Sequence, residues 1–161
     1  MVKLTCYSTI SLKIIVNTKN NNHYTPIMET SCGVILVNFD SVLILQYPQG
    51  HWDLPKGHIE DKDENHKQTA LRELKEETGI SNISWIDGFS KKTEYSFKNK
   101  GKIINKTVWW LLAKTSEMNV KLSEEHLNYM WLDWDSAINE VTHDLTRSVI
   151  SEAKDFFEKL L

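Results

Sequence analysis

Hydrophobic residues follow one another along the chain in a pattern that predicts five β-strands. The runs that carry this prediction are Cys32 to Val37, Val42 to Tyr47, Ile83 to Phe97, Lys102 to Lys114 and Asn128 to Trp134. Phe39 to Ser41 supplies a turn between the first two strands, and Asn99 to Gly101 a turn between the third and fourth. Each of these pairs is therefore expected to form a hairpin.

Two helices are predicted after the strand pairs. The first spans about Glu64 to Thr78, since Asp and Asn residues stand at its start and Gly79 follows as a stop. The second lies at the C-terminus, where apolar residues recur at helical spacing from Leu145 to Leu160 and would pack on the sheet. Mixed strands with helices before and after predict an α/β layered domain.

The first 27 residues differ from the rest of the chain. They contain lysines but no acid, and Asn17 to His23 is a polar run without periodicity. Thr9 to Val16 could add one strand. We expect residues 1–27 to be an appended extension and residues 28–161 to be the domain.

Length and charge exclude several classes of protein. A chain of 161 residues predicts one domain, and its net charge of −3 argues against a coat for nucleic acid or anionic membrane. The whole excess lies between Gly57 and Ile80, which hold seven acids and four bases, whereas the remaining acids and bases balance. The negative charge is thus a local feature of the segment from Gly57 to Ile80.

Cysteine content and apolar run lengths indicate a protein of the reducing cytoplasm. Cys6 and Cys32 form neither a disulfide framework nor a zinc motif. Val108 to Ala113 is among the longest apolar stretches and is far shorter than the roughly 20 residues that span a bilayer. No membrane association is expected, and a monomer is the expected state.

The first predicted helix carries three carboxylates on one face. At helical spacing Glu73, Glu76 and Glu77 lie together, opposite an apolar stripe that includes Leu74. Only Arg72 is close enough to pair with Glu76. The cluster is either a solvated acidic surface or a site for a hard divalent cation such as Mg²⁺ or Mn²⁺.

The residues around this helix resemble the Nudix signature, which is a glycine followed after a spacer by Arg-Glu-apolar-x-Glu-Glu-x-Gly-apolar. The matching residues are Gly57, Arg72, Glu73, Leu74, Glu76, Glu77, Gly79 and Ile80. In the family an acid usually stands six residues after the first glycine and eight before the arginine; Glu64 keeps the second spacing but lies seven after Gly57. A one-residue insertion in the loop explains this, and either Asp63 or Glu64 could be the first acid.

The flanks are similar to the asymmetric diadenosine tetraphosphate hydrolases of that family. The similar segments are His51-Trp52-Asp53-Leu54-Pro55-Lys56-Gly57-His58, Lys106-Thr107-Val108 and Leu122-Ser123-Glu124-Glu125-His126 with Tyr129 and Trp131. The resemblance implies a Nudix fold, a mixed β-sheet sandwiched between α-helices (α/β/α). It also implies divalent-metal-dependent hydrolysis of diadenosine tetraphosphate to ATP and AMP, with a small nucleotide as the substrate.

The resemblance also implies roles for individual residues. Metal ligands would be Gly57, through its carbonyl, and Glu73, Glu76, Glu77 and Glu125; His51, Lys56 and Lys106 would contact phosphate, and Tyr95 and Tyr129 would stack on adenine. A metal ion would lower the pKa of the attacking water, and Glu125 or Glu73 would remove its proton. The remaining histidines, His126 among them, are expected to be surface or satisfied structural residues.

Two alternatives stay open at this point. The chain could be a Nudix pyrophosphatase for another substrate, such as a diphosphoinositol polyphosphate, a nucleoside triphosphate or an RNA 5′ end. It could also be a non-catalytic nucleotide-sensing module, although a sensor has no need of the complete carboxylate cluster of Glu73, Glu76 and Glu77. Tyr95 could equally be an ordinary strand aromatic.

Overall fold

The computed structural model describes residues 25–161, so the strand predicted at Thr9 to Val16 lies outside the described residues. The elements are β1 (Ile27–Asn38), β2 (Ser41–Gln46), β3 (Trp52–Asp53), β4 (Lys56–His58), α1 (His66–Thr78), β5 (Ile83–Asn99), β6 (Lys102–Thr115), β7 (Asn128–Asp133), α2 (Trp134–Glu140) and α3 (Asp144–Glu158). All five predicted strands and both predicted helices are confirmed. The sequence pattern missed β3, β4 and α2, which are too short to show a period.

The strands form one mixed sheet in the order β3-β2-β1-β6-β5, with β4 paired to β1 and β7 paired to β2. β1 and β6 run parallel, from Ile27 opposite Ile104 to Val37 opposite Lys114, whereas the other pairs are antiparallel. The β1–β2 and β5–β6 hairpins are confirmed. At the second turn Lys100 and Gly101 both have positive φ, 47° and 78°, as a type I′ turn requires.

Both faces of the sheet are covered, because alternate residues of the central strand point to opposite sides. Ile35 and Val37 of β1 face a cluster that contains residues of α2 and α3. Val34 and Leu36 face a second cluster, which contains Leu74 of α1. The expected α/β/α layering is therefore confirmed. Among residues 25–161 no helix is both long and apolar enough to cross a membrane.

Helix α1 begins and ends at residues suited to those positions. The Asn65 side chain accepts a hydrogen bond of 3.0 Å from the Gln68 amide, so the helix begins two residues after the predicted Glu64. Gly79 follows with φ 76°, and its amide donates to the Lys75 carbonyl at 2.9 Å. These two ends place the three glutamates of the signature in the last two turns of the helix.

Candidate active site

A cavity of about 1050 Å³ opens where α1, the β3–β4 segment and the β5–β6 hairpin meet. It collects residues that are far apart in the sequence but were predicted to act together. Those that line it are His51, Lys56, Gly57, Glu73, Glu76, Glu77, Tyr95, Lys106 and Glu125. Arg72 and Tyr129, the other predicted residues, are not among its lining residues.

Arg72 lies behind the cavity and ties the preceding loop to α1. Its guanidinium donates to both oxygens of Asp63, at 3.2 and 2.8 Å, and to the His58 carbonyl at 2.8 Å. Hydrogen bonds from Arg72 hold the pKa of the Asp63 carboxyl far below its ordinary value. The Asp63 side chain is buried, whereas Glu64 is exposed. Asp63, not Glu64, therefore pairs with the signature arginine.

Tyr129 lies on β7, away from the cavity. Its ring is half-buried and packs against the cluster on the α1 face of the sheet, and its backbone pairs with Leu45 of β2. Stacking of Tyr129 on a base stays a prediction, and Tyr95, whose side chain is exposed in the cavity, is the better-placed aromatic.

The carboxylate of Glu77 is buried in the cavity, and the residue is 5% exposed. Its Oε2 accepts a hydrogen bond of 3.1 Å from the Lys56 amide. Burial raises the pKa of Glu77 to about 8, and the charges of Glu73 and Glu125 add to the rise while Lys56 opposes it. Burial also raises the pKa of Glu73 above its ordinary value. Burial thus disfavours the charged form of both neighbouring carboxylates, and a further positive charge beside them would offset this effect.

A divalent cation would supply that charge. In the described residues 25–161, no three His, Cys, Asp or Glu side chains converge on one ion position. Arg72 Nη1 instead lies 2.8 Å from Glu73 Oε1 and 3.5 Å from Glu76 Oε2. The donors are all hard oxygens, so this set fits Mg²⁺ or Mn²⁺ rather than a soft metal.

Gly57 is required by the close approach of α1 to β4. A Cβ built on residue 57 would overlap the carboxylate of Glu73, because that carboxylate lies directly against the Gly57 backbone. β4 in turn pairs with β1, with Gly57 opposite Cys32. Glycine at this position therefore keeps the Glu73 carboxylate and the residue 57 backbone together.

We expect the Gly57→Ala variant to fold but to lose about 10²-fold in kcat/KM, because the Glu73 carboxylate must swing away from the cavity. Steady-state kinetics with a dinucleoside tetraphosphate measures this loss. Gly101→Ala is the matched control: residue 101 has positive φ but no neighbour within 4 Å of an added Cβ, so stability should fall and kcat/KM should not. Equal values of kcat/KM for Gly57→Ala and Gly101→Ala would contradict the role of Gly57 in placing the Glu73 carboxylate.

The cationic side of the cavity is built on Lys56, whose ammonium is 2.9 Å from Asp53 Oδ2 and 3.1 Å from the Tyr47 hydroxyl. Although burial disfavours the charge, the pKa of Lys56 stays above its ordinary value because of these partners. Tyr47 also stacks on His51, with ring centroids 4.8 Å apart at 8°. Tyr47 thus contacts two side chains that were predicted to bind phosphate.

A second cationic group stands across the cavity at Lys106. Its Nζ lies 3.2 Å from Glu29 Oε2 and 2.6 Å from His58 Nε2. Burial lowers the pKa of Lys106, and the Glu29 carboxylate partly offsets this effect. Glu29 is thus the acidic partner of Lys106 in this cavity.

Sequence reasoning missed four residues of this site: Glu29, Tyr47, Asp53 and His126. Asp53 lies within the segment that resembles the family, and an acid three residues before a functional lysine could have indicated an ion pair. Glu29 and Tyr47 carried no such indication, since they lie outside the signature. His126 was expected to be satisfied or at the surface; its side chain is instead fully buried, with an unpartnered ring nitrogen.

The segment after β6 brings Glu125 and His126 to α1. The Lys121 amide donates to the Thr78 carbonyl at 2.8 Å, and the Ser123 amide to the Glu77 carbonyl at 3.0 Å. These bonds satisfy carbonyls at the C-terminal end of the helix, which the helix itself leaves free. Glu125 is exposed and lines the cavity, and its role as base or metal ligand stays a prediction.

Residues 29–153 match the model of the NUDIX domain. The chain belongs to the Nudix family. Nudix hydrolases are generally dependent on divalent metals, which agrees with the hard oxygen donors of α1. The match spans β1 to α3 and thus includes every residue that lines the cavity.

Relatives that match most of the chain include asymmetrical bis(5′-nucleosyl)-tetraphosphatases. The chain is 36% identical over 119 residues to the asymmetrical bis(5′-nucleosyl)-tetraphosphatase of Rattus norvegicus, covering 71% of this chain and 78% of the relative. The Sus scrofa protein of the same name is 38% identical over the same length. A crystal structure of a Caenorhabditis elegans Ap4A hydrolase binary complex superposes with a TM-score of 0.68 and 26% identity, over 81% of this chain and 98% of that one.

Proposed function

We propose that this Nudix hydrolase cleaves dinucleoside polyphosphates, and that it converts diadenosine tetraphosphate asymmetrically to ATP and AMP with Mg²⁺ or Mn²⁺. The observation that carries the proposal is the composition of one cavity. It joins the carboxylates of α1 to His51, Lys56 and Lys106, and it extends to the exposed ring of Tyr95. A polyphosphate linked to a nucleobase would use all three parts: the carboxylates for the metal ions, the three polar side chains for the phosphate oxygens and the ring for the base. The names of the relatives support a tetraphosphate as that substrate.

Glu73, Glu76 and Glu77, with the Gly57 carbonyl, are the proposed metal ligands. The metal, when bound, neutralises phosphate charge and makes a water nucleophilic near neutral pH. Lys56 and Lys106 contact phosphate oxygens as point charges, and His51 donates a hydrogen bond, so that charge growing in the transition state is stabilised. The Tyr95 ring stacks on adenine, a contact that is worth about 1 to 3 kcal/mol per base.

Glu125 is the proposed general base that removes a proton from the attacking water. Its carboxylate makes no hydrogen bond or ion pair within the described part of the chain, whereas Glu73 is held by Arg72 at 2.8 Å. The exposed Glu125 carboxylate can therefore approach a water in the cavity, whereas the Glu73 carboxylate is held in place by Arg72 and is itself a proposed metal ligand. Glu73 stays the competing candidate for the base.

A substrate panel with product identification tests the proposal. Purified protein with Mg²⁺ should release ATP and AMP from diadenosine tetraphosphate, and a chelator should abolish the release. Two ADP molecules as products would contradict the asymmetric cleavage. Faster cleavage of a diphosphoinositol polyphosphate, a nucleoside triphosphate or an RNA 5′ end would assign the cavity to that substrate instead. Nucleotide binding without turnover on the whole panel would indicate a sensing module.

A further inference from the structure

His126 is buried behind the cavity with one ring nitrogen unpartnered. Its side chain is 0% exposed, and Nε2 is the one buried side-chain nitrogen or oxygen in the described residues that has no hydrogen-bond partner. A buried polar atom without a partner costs free energy, so native structures rarely keep one without a function. The charged atom that Nε2 faces is Glu77 Oε1, at 3.5 Å.

The protonation of the His126 ring follows from the partner of its other nitrogen. Ser123 Oγ lies 3.1 Å from Nδ1, where its hydroxyl can donate a hydrogen bond. With that bond in place the neutral ring carries its proton on Nε2, which then points an N–H at the Glu77 carboxylate. When Glu77 is ionised, as a carboxylate that binds a metal ion must be, the other tautomer would place the Nε2 lone pair against a negatively charged oxygen and is disfavoured.

The orientation of the His126 ring is held by its surroundings. The Tyr47 ring meets it edge-on, with centroids 4.5 Å apart at 71°. The His126 amide donates to the Ser123 carbonyl at 3.2 Å, and Ser123 is itself bonded to the backbone of Glu77. The ring is thus attached to the same turn of α1 that carries the carboxylate it faces.

One nitrogen thus lies beside each oxygen of the Glu77 carboxylate. The Lys56 amide donates to Oε2 at 3.1 Å, and His126 Nε2 faces Oε1. The two nitrogens belong to different segments of the chain, since Lys56 lies 21 residues before Glu77 and His126 lies 49 residues after it. Such partners of a ligating carboxylate fix its orientation and raise the affinity of the site for its metal.

We propose that His126 is a positioning residue, which donates its Nε2–H to Glu77 and holds that carboxylate in the orientation that binds the divalent ion. The proposal rests on the proposed role of Glu77 as a metal ligand. His126 itself contacts neither metal nor substrate, and Ser123 acts only by selecting the tautomer of the ring.

Direct measurement of Mn²⁺ binding to the full chain without substrate, by electron paramagnetic resonance, tests the proposal. His126→Gln places an amide N–H where Nε2 stands, whereas the shorter amide of His126→Asn reaches only the position of Nδ1. We expect His126→Asn and His126→Leu to weaken Mn²⁺ binding about 10- to 100-fold, with His126→Gln restoring most of the affinity. Urea unfolding of each variant confirms that the compared proteins are folded; if His126→Leu does not fold, the Gln and Asn pair decides.

The Glu77→Gln variant separates this proposal from the metal assignment. Weak Mn²⁺ binding in Glu77→Gln together with wild-type binding in His126→Asn would overturn the role of His126 alone. Wild-type binding in Glu77→Gln would overturn the metal assignment, and the role of His126 with it. Equal affinities of the Gln and Asn variants at position 126 would also overturn the role of His126.

Discussion

The Glu77→Gln variant is expected to lose about 10²- to 10³-fold in kcat/KM, the size of effect that follows loss of one strong electrostatic contact to a transition state. Glutamine keeps the shape of the side chain and an oxygen that can accept the Lys56 amide, but it removes the negative charge. The buried side chain at position 77 would then be unable to attract a divalent cation by its charge. The fold should be retained, because the buried charge itself is unfavourable.

Kinetics with diadenosine tetraphosphate at saturating Mg²⁺ measures this loss. Glu64→Gln is the matched control, because Glu64 is an exposed acid just before the same helix. Arg72 pairs with Asp63 and not with Glu64. The control should turn over at the wild-type rate. Near wild-type activity in Glu77→Gln would contradict the proposed metal site, and a large loss in Glu64→Gln would contradict the assignment of Asp63.

The Asp53→Ala variant is expected to lower the free energy of unfolding by about 3 to 5 kcal/mol, the cost of leaving one charge of a buried pair alone. The Lys56 and Asp53 side chains are 14% and 8% exposed and 2.9 Å apart. Asp53 Oδ1 also accepts the Thr146 hydroxyl at 2.9 Å, so the pair joins the β3–β4 segment to α3. Removal of the carboxylate leaves the Lys56 ammonium without its counter-ion and the Thr146 hydroxyl without this acceptor.

Urea unfolding followed by tryptophan fluorescence measures the change. The control is Asp135→Ala, since Asp135 makes an ion pair of the same 2.9 Å length with Lys154 but its side chain is 75% exposed. Loss of that surface pair should cost less than about 1 kcal/mol. A second variant, Asp53→Ala with Lys56→Met, should recover part of the stability, because no unpaired charge remains. Equal losses in Asp53→Ala and Asp135→Ala would show that burial of the first pair is unimportant.

The order of the main elements and the acidic face of α1 followed from local patterns. Apolar alternation identified the long strands, and residues three and four positions apart share a helix face whatever surrounds the helix. The pairing of Arg72 with Glu76 was predicted on this ground and is present at 3.5 Å. Two- and three-residue strands such as β3 and β4 gave no period, so the folded path of the segment that carries Lys56 and Gly57 could not be predicted.

The sequence by itself determined the elements, the family resemblance and the location of the negative charge, because each depends on residues close together in the chain. Only the tertiary structure decided which distant residues meet. Glu29 lies beside Lys106 because the parallel register of β1 and β6 sets these two residues opposite each other. The segment after β6 likewise carries His126 to Glu77. Such contacts depend on strand register and loop path, which act over dozens of residues and leave no local pattern in the sequence.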